Sequence, residues 1–471
     1  MQWTMDYGPW TFKNMNALIS TALSGVVLMF VGLFVSNRQR IKYFAIALVL
    51  VAFVANLLEF STLQGGSQTL FGMLEISKFS LLFNAVMLGA TLLYFMLCGS
   101  EFEKVGEHVA DYFALIFFIL SGIMLASGFS SLLMLFLAIE IISIPQYILA
   151  GADKKNLKSN EASLKYFLMG SFSTGILLMG IALIYGASGT FNINELALGT
   201  GEPHPLTIGG IMLLIFALAF KVSAVPFHFW TPDVYDGSPT VFTAFMATVV
   251  KAGGFIAFLR LFHVSFTSGA ISQHWLLVLA IIAAATLLLG NLTAVFQQSV
   301  KRMLAYSSIA QAGFMLLAVI ALNETATQGI VLYAAAYSVA TIGMFGVLMK
   351  VKDYTFEGFN GLARKQPLLA LAATIFLFSL AGIPLTAGFF AKYFVLSAVV
   401  QQGNLLWLVI LAVICAAISV YYYFRVIMAM YFKAGEPEVA PFTPAFKTVL
   451  IIAIIIVIVL GVYPSILLQW A

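Results

Sequence analysis

The chain has 471 residues, of which 62% are hydrophobic and only 9% are charged, with a net charge of +4. An ordinary soluble domain carries about 25% charged residues, so this composition excludes a cytosolic enzyme, a disordered chain and a secreted disulfide scaffold. The apolar runs are continuous and ~20 residues long, which predicts an all-α polytopic membrane protein and not a barrel of ~10-residue strands. The small positive excess is typical of cytoplasmic loops and does not indicate a nucleic-acid site.

Fourteen apolar segments predict about 14 transmembrane helices. In chain order they lie near residues 17–35, 41–60, 79–98, 111–129, 131–150, 162–186, 206–229, 239–262, 274–296, 302–322, 328–350, 367–400, 404–432 and 447–468.

Basic residues are distributed unequally between alternate loops. Fifteen fall in the loops on one side of the predicted bundle, whereas the other side has Lys13, Lys78 and Arg260. Because cytoplasmic loops carry the excess of basic residues, the first side is predicted to be cytoplasmic. An even number of spans then places both termini on the outer side.

Two stretches interrupt the apolar pattern. Residues 220–240 contain three prolines, and residues 367–400 are too long for one straight span and are interrupted at Pro384. Irregular backbone at membrane depth is tolerated only where it is buried in protein or lines a wet cavity, and paired broken spans are typical of transport pathways. The seventh and twelfth spans are the broken ones, which favours two inverted five-helix repeats. Two unrelated proline kinks are the alternative.

Five ionisable residues lie inside the apolar segments: Glu140, Lys165, Lys221, Lys251 and Lys392. A charge at a helix centre costs ~2.5–3.5 kcal/mol on translocon scales, so such residues are functional candidates. At about 1.5 Å per residue, Lys165 is predicted to lie shallow on the cytoplasmic side and Lys392 toward the outer side. The other three lie near the middle, so the set crosses the membrane as a proton relay would.

The chemistry of lysine suits a proton relay. Burial favours the neutral amine, and a nearby carboxylate favours the charged one. An ion pair between Glu140 and Lys221 that opens and closes would therefore control whether Lys221 passes a proton toward Lys251. The alternatives are a static buried pair that orients two helices and, for Lys165, a side chain that extends to the membrane interface.

Three prolines near these charges, Pro145, Pro226 and Pro384, are predicted helix breaks. Each removes a helical N–H and frees a carbonyl, which together with water would stabilise a protonated lysine. His228, just past Pro226, is either a further relay residue or an interfacial histidine.

Other polar residues near the broken segments have weaker expected roles. Asp233 and Asp236 are predicted to be caps or loop anchors. Ser307, Ser308 and Gln311 would either bond water inside the tenth span or pack against neighbouring helices.

The sequence has no pattern that predicts a cofactor or metal site. It lacks C-x-x-C, H-E-x-x-H and a glycine-rich phosphate loop, and Cys98 and Cys415 lie far apart in apolar runs. We therefore expect no cofactor or metal to be bound by this chain, and any electron chemistry to take place on a partner.

Several motifs resemble one known family. They are FKVSAVPFHFWTPDVYDGSPTVFTAFMATVVKAGGF (220–255), EIISIPQYILAG (140–151), NEASLKYFLMGSFSTGILLMGIALIYGASGT (160–190), KRMLAYSSIAQAG (301–313) and AGIPLTAGFFAKYFV (381–395). Taken in chain order, they resemble the N subunits of bacterial NADH–quinone oxidoreductase, respiratory complex I, from about residue 100 to 430. The first hundred residues are similar in hydropathy only.

The resemblance implies a fold and an activity. The family has fourteen spans and two inverted five-span repeats, and it moves protons while NADH is oxidised and quinone is reduced on other subunits. The implied regions are an N-terminal three-helix segment (1–100), two antiporter-like repeats (101–263 and 274–432) and a C-terminal span (433–471).

The resemblance also assigns residues. Glu140 and Lys221 match the pair of the fifth and seventh spans, Lys165 the lysine of the sixth and Lys251 that of the eighth. Lys392 matches the lysine of the broken twelfth span, where one sister subunit has glutamate.

The implied surroundings are a bacterial cytoplasmic (inner) membrane and a large complex. Its partners would be another antiporter-like subunit and small helical membrane-arm subunits, with FMN, iron–sulfur clusters and quinone bound elsewhere. A cation/proton antiporter subunit without electron transfer and a scaffold that moves no protons are the alternatives.

Overall fold

The computed structural model describes residues 15–35, 37–63, 67–196, 203–267 and 269–470. Lys13 and the N-terminus, which entered the prediction of sidedness, lie outside the described residues.

Nearly all of the regular structure in the described residues is helical. The helices are α1 (Asn16–Phe34), α2 (Arg38–Thr62), α3 (Lys78–Cys98), α4 (Phe102–Val105), α5 (Val109–Gly128), α6 (Leu132–Ala150), α7 (Leu157–Ser188), α8 (Ile193–Leu196), α9 (Pro205–Lys221), α10 (Trp230–Gly237), α11 (Thr240–Phe245), α12 (Lys251–Ser265), α13 (Gly269–Val295), α14 (Val300–Ala321), α15 (Glu324–Leu348), α16 (Leu362–Lys365), α17 (Pro367–Ala381), α18 (Ala387–Gln402), α19 (Leu406–Phe432), α20 (Pro444–Val462) and α21 (Ser465–Leu468).

The prediction of an all-α polytopic membrane protein is confirmed. Within the described ranges, 12 helical stretches are long and apolar enough to cross a membrane, and each coincides with a predicted span. The predicted seventh and twelfth spans are shorter helices separated by breaks, so the total of fourteen stays a prediction. The α11–α12 stretch and α15 are buried in the centre, whereas α1 and α2 lie at the periphery.

The two broken spans are interrupted where the sequence predicts. Residues 222–229, which contain Pro226, separate α9 from α10, and residues 382–386, which contain Pro384, separate α17 from α18. Both breaks leave helix-end carbonyls without an N–H partner from the next turn. These carbonyls are therefore available to other donors inside the protein.

The predicted break at Pro145 is wrong. Helix α6 continues through Pro145 from Leu132 to Ala150. A proline removes one helical hydrogen bond, and packing against neighbouring helices makes this loss tolerable in a membrane helix. The buried Pro145 ring therefore leaves the helix unbroken.

The connecting loops form two separate groups. A β-hairpin of β1 (Ser67–Leu70) and β2 (Leu74–Ser77), which the sequence did not predict, lies in the loop between α2 and α3. Backbone bridges join loops of the same group: Leu74 to Phe129 and Ser131 to Asn192 in one, Ser299 to Thr355 and Val351 to Val439 in the other. Loops that the sequence assigns to one side are thus in contact with each other. Which side faces the cytoplasm stays a prediction.

We expect Gly388→Ala to destabilise the second break. A Cβ atom at Gly388 would lie 1.8 Å from the backbone oxygen of Ser379, so α18 would have to move away from α17. Overpacking of this kind costs about 1–3 kcal/mol, which thermal unfolding of the purified protein would detect. Gly175→Ala is the control because nothing lies within 4 Å of its Cβ position. Equal melting temperatures for both variants would contradict this account.

Candidate functional site

Lys251 lies in the centre of the molecule. A π-helical turn, Met246–Val250, joins α11 to α12, and Lys251 follows it with an exposed fraction of only 1%. Its ammonium Nζ donates to the backbone oxygen of Ser308 at 3.0 Å and to the Ser308 hydroxyl, and it lies 5.7 Å from the Tyr235 ring centre. All of these groups are formally neutral.

Lys392 also binds neutral oxygens, at the second helix break. Its Nζ donates to the carbonyls of Leu380 at 3.0 Å and Ala381 at 2.8 Å, the last residues of α17. Because the helix ends there, these carbonyls lack partners from the next turn. The break near Pro384 therefore supplies the carbonyl ligands that the sequence predicted for a protonated lysine.

Helix α14 connects the two buried lysines. The Gln311 amide donates at 2.9 Å to the same Leu380 carbonyl that accepts from Lys392. Ser308, which binds Lys251, lies one turn before Gln311. A cavity of about 10 Å³ next to Gln311 and Lys392 has room for about one water molecule. A nearly continuous row of polar groups thus joins the two lysines.

The sequence did not indicate the tyrosines of this row. Tyr333 donates to the Gln311 side chain. The Tyr423 hydroxyl forms a hydrogen bond with the Ser307 hydroxyl at 2.5 Å and accepts from Gln311 at 3.2 Å. In an apolar span a tyrosine looks like any core aromatic. The only available signal was that a buried hydroxyl needs a hydrogen-bond partner.

Glu140 and Lys221 are neighbours that do not form an ion pair. Lys221 Nζ donates to the Ser143 hydroxyl at 2.9 Å and toward the Tyr147 hydroxyl at 3.5 Å, whereas the Glu140 carboxylate accepts from Thr174 at 2.7 Å. Both side chains are half-buried. The alternative of a static buried ion pair is wrong for this structure. The closed form of the pair stays a prediction.

Lys165 lies in an ion-pair cluster on the side of the molecule that has the lysine- and arginine-rich loops, called the basic side below. It contacts Glu161 at 2.7 Å and Asp233 at 2.9 Å, and 41% of its side chain is exposed. Arg302 of α14 binds the same Asp233 at 3.2 Å, so Asp233 anchors α10 to α7 and α14. A cleft of about 150 Å³ opens between these residues. The shallow position predicted for Lys165 agrees with this arrangement.

His228 is buried in the first break but is bonded to neither lysine. Its ring packs against Phe229 with ring centres 4.5 Å apart, and its Nδ1 has no hydrogen-bond partner within the described part of the chain. Ser223 and Thr231 of the same region likewise have buried hydroxyls without partners there. Buried polar groups of this kind commonly bond ordered water. A relay role for His228 stays a prediction.

Several buried charges were missed because they lie at the ends of apolar runs. Lys301 donates to two backbone oxygens at the end of α10, those of Asp236 and Ser238, at 2.8 Å each. Further examples are the ion pairs Lys350–Glu101 at 2.5 Å and Arg260–Glu75 at 2.8 Å, and Glu59, which accepts from the backbone N–H of Ala17 at 3.1 Å. A loop position and a buried position look alike when the boundary of a span is uncertain by a few residues.

Metal ligands and thiols form no comparable site. Within the described ranges, no group of three or more His, Cys, Asp or Glu residues is placed to hold a metal ion. Cys98 and Cys415 are both buried and unpaired.

Comparison with known proteins gives the family. The family model described as "NADH:quinone oxidoreductase/Mrp antiporter, TM" matches residues 129–419. The chain belongs to this family. The match contains Glu140, Lys165, Lys221, Lys251 and Lys392, so the candidate site lies inside the family region.

Members of the NADH:quinone oxidoreductase/Mrp antiporter family resemble this chain over nearly its full length. The NADH-quinone oxidoreductase subunit N of Cytophaga hutchinsonii is 42% identical over 97% of this chain and 99% of its own length. The subunit N of Trichlorobacter lovleyi is 39% identical over 97% of this chain and 96% of its own.

Two solved structures have the same fold. A chain of respiratory complex I from Thermus thermophilus with bound aureothin is 31% identical, covers 96% of this chain and 98% of its own, and has a TM-score of 0.83. A chain of the Mrp complex from Dietzia sp. DQ12-45-1b has a TM-score of 0.85, covers 97% of this chain and 96% of its own, and is 21% identical, which shows the fold alone.

We expect Gln311→Leu to interrupt the row between Lys251 and Lys392. The substitution keeps the volume but leaves the Tyr333 hydroxyl without its acceptor, and an unsatisfied buried polar group costs about 1–3 kcal/mol. Proton translocation in reconstituted vesicles should fall several-fold. Gln273→Leu is the control because that exposed amide bonds only within its own helix. Unchanged translocation in Gln311→Leu would mean that protons do not pass along α14.

Proposed function

We propose that this chain is a proton-translocating membrane-arm subunit of NADH–quinone oxidoreductase, complex I, and that protons cross it through a Glu/Lys relay. One observation carries the relay. Lys221, Lys251 and Lys392 lie within the spans, and their amines contact hydroxyl and carbonyl oxygens and, in the described part of the chain, no carboxylate. Such ligands hold a proton on an amine without fixing it there as an ion pair would.

The relay depends on small changes around each lysine. Carbonyl and hydroxyl acceptors stabilise the ammonium, while the surrounding apolar groups favour the neutral amine. Glu140 is near Lys221 but bonded to Thr174. Its movement onto Lys221 would stabilise the charged amine, and its return to Thr174 would favour proton release toward Lys251.

The proposed route begins in the cleft on the basic side. Lys165 and Asp233 line this opening and exchange protons with water. From there the route passes Lys221 and Lys251, follows Ser308 and Gln311 of α14, and reaches Lys392. His228 relays protons between Lys221 and Lys251 through water.

The partners of this chain are the other membrane-arm subunits. The half-buried Glu140 and Lys221 support this proposal, since a charged residue facing lipid at membrane depth is costly. One flank contacts another antiporter-like subunit, and the other contacts small helical subunits. NADH, FMN, iron–sulfur clusters and quinone are bound by other subunits, and quinone reduction there drives the relay.

The proposed location is the bacterial cytoplasmic (inner) membrane, with both termini on the periplasmic side. Residues 101–263 and 274–432 form the two inverted repeats, each with one broken span. The three-helix segment 1–100 and the span in 433–471 flank them.

The proposal is tested first by its partners. A tagged chain is purified in mild detergent, its partners are identified by mass spectrometry, and the eluate is assayed for NADH–quinone activity. Flavin and iron–sulfur subunits with NADH oxidation would support the proposal. Membrane partners without redox subunits, together with cation-dependent proton exchange, would replace it with the cation/proton antiporter.

A further inference from the structure

A large cavity lies on the basic side, away from the candidate site. Its volume is about 640 Å³, and it opens between the first turns of α2, the end of α3 and the segment 441–446 that leads into α20. At the opposite end of these helices, Phe60 of α2 contacts Trp470 with ring centres 6.0 Å apart. This contact joins the end of α2 to the residues that follow α20.

The lining of the cavity has a net positive charge, and two of its basic side chains form no ion pair with a described carboxylate. Its lining has four basic residues, Arg38, Lys42, Lys104 and Lys350, and two acidic ones, Glu101 and Glu103, so an excess of two positive charges remains. Glu101 is shared by Lys104 at 2.6 Å and Lys350 at 2.5 Å. Lys42 donates to the Ser100 hydroxyl at 2.7 Å and forms no ion pair with any described residue. Arg38 has no carboxylate within ion-pair distance among the described residues. These two side chains can therefore bind an anion that the cavity admits.

The walls of the cavity are apolar below this lining. Met96, Leu97 and Phe446 form its inner wall. Exposed apolar side chains continue along both helices that flank it, including Leu50, Val51 and Val54 of α2 and Ile451, Ile452 and Ile455 of α20. A charged opening at the ends of two spans, followed by two apolar faces, matches the shape and polarity of a phospholipid.

We propose that this cavity binds the headgroup of an anionic phospholipid. Arg38 and Lys42 bind its phosphate, and its acyl chains follow the apolar faces of α2 and α20. Basic residues next to membrane spans attract anionic lipids. The inference does not depend on the proton relay, because no residue of the relay lines the cavity.

The test is photo-cross-linking in the intact complex. The complex is reconstituted in phosphatidylcholine vesicles with a trace of phosphatidylglycerol that carries a photoactivatable acyl chain, and cross-linked peptides are mapped by mass spectrometry. We expect cross-links on α2 and α20. Arg38→Gln with Lys42→Gln should reduce them about tenfold. The control, Arg40→Gln with Lys433→Gln, makes the same change of charge outside the cavity and should leave them within about twofold.

Four results would overturn the proposal. Equal cross-linking in the variant and the control would exclude Arg38 and Lys42 as ligands. Equal cross-linking by a photoactivatable phosphatidylcholine would show that charge does not select the lipid. Displacement by excess inorganic phosphate would indicate a site for free anions. Cross-links from an acidic segment of a neighbouring subunit to the same peptides would make that segment the occupant.

Discussion

Lys251→Met is expected to reduce proton translocation by the assembled complex at least tenfold while the complex still forms. Methionine has a similar length and no proton to exchange, so an apolar side chain replaces the amine that contacts Ser308. A tenfold loss corresponds to about 1.4 kcal/mol in the barrier. A proton that crosses this position without the amine is an unpaired buried charge, which costs several times that. The measurement is proton uptake by vesicles per NADH oxidised.

Lys251→Arg separates proton exchange from a fixed positive charge. Arginine keeps the charge but does not release its proton at any physiological pH. If Lys251 exchanges protons, both variants fail. If it only holds a charge in place, the arginine variant retains activity and the relay is wrong at this residue.

Lys433→Met is the matched control. Lys433 is exposed, follows the end of α19, and belongs to none of the described sites. Its substitution should leave translocation and assembly unchanged. Normal translocation in Lys251→Met would instead support a scaffold that moves no protons.

Glu101→Gln is expected to have the largest effect on stability. Glu101 binds Lys350 at 2.5 Å, and the two side chains are 9% and 8% exposed. Removal of one partner of a buried ion pair costs about 3–5 kcal/mol because the other charge is left without compensation. Thermal unfolding of the purified protein should therefore begin at a clearly lower temperature.

A second substitution distinguishes charge from packing. Glu101→Gln with Lys350→Met removes both charges, so most of the lost stability should return. Lys352→Met is the control, because its ion pair with Glu438 is exposed and such pairs contribute about 0–1 kcal/mol. A double variant as unstable as the single one would show that the ion pair is not the cause.

The sequence predicted the membrane architecture because span length and breaks depend on local physics. The bilayer requires continuous apolar helices, and Pro226 and Pro384 cannot continue a helix without losing a bond. Pro145 shows the limit of this rule. Whether a proline breaks a helix or only weakens it depends on the helices packed around it, which local sequence does not reveal.

The candidate site was only partly predictable. A charge in an apolar run is visible in the sequence, and this identified Lys251 and Lys392. Its partners are not visible, because carbonyl oxygens belong to every residue. Leu380 and Ala381 bind Lys392 through the backbone alone. Lys221 was predicted to pair with Glu140, whereas the Ser143 hydroxyl, one turn further along α6, is its partner. The sequence shows both polar side chains of α6 but not which of them the amine contacts.

Helix α14 contacts both broken spans. It is continuous from Val300 to Ala321, and along it Lys301 binds the end of α10, Ser308 binds Lys251, and Gln311 binds the end of α17. Successive residues of a helix are about 100° apart, so a rotation of α14 by one residue would break all three contacts together. Rearrangements at the two breaks would then be cooperative.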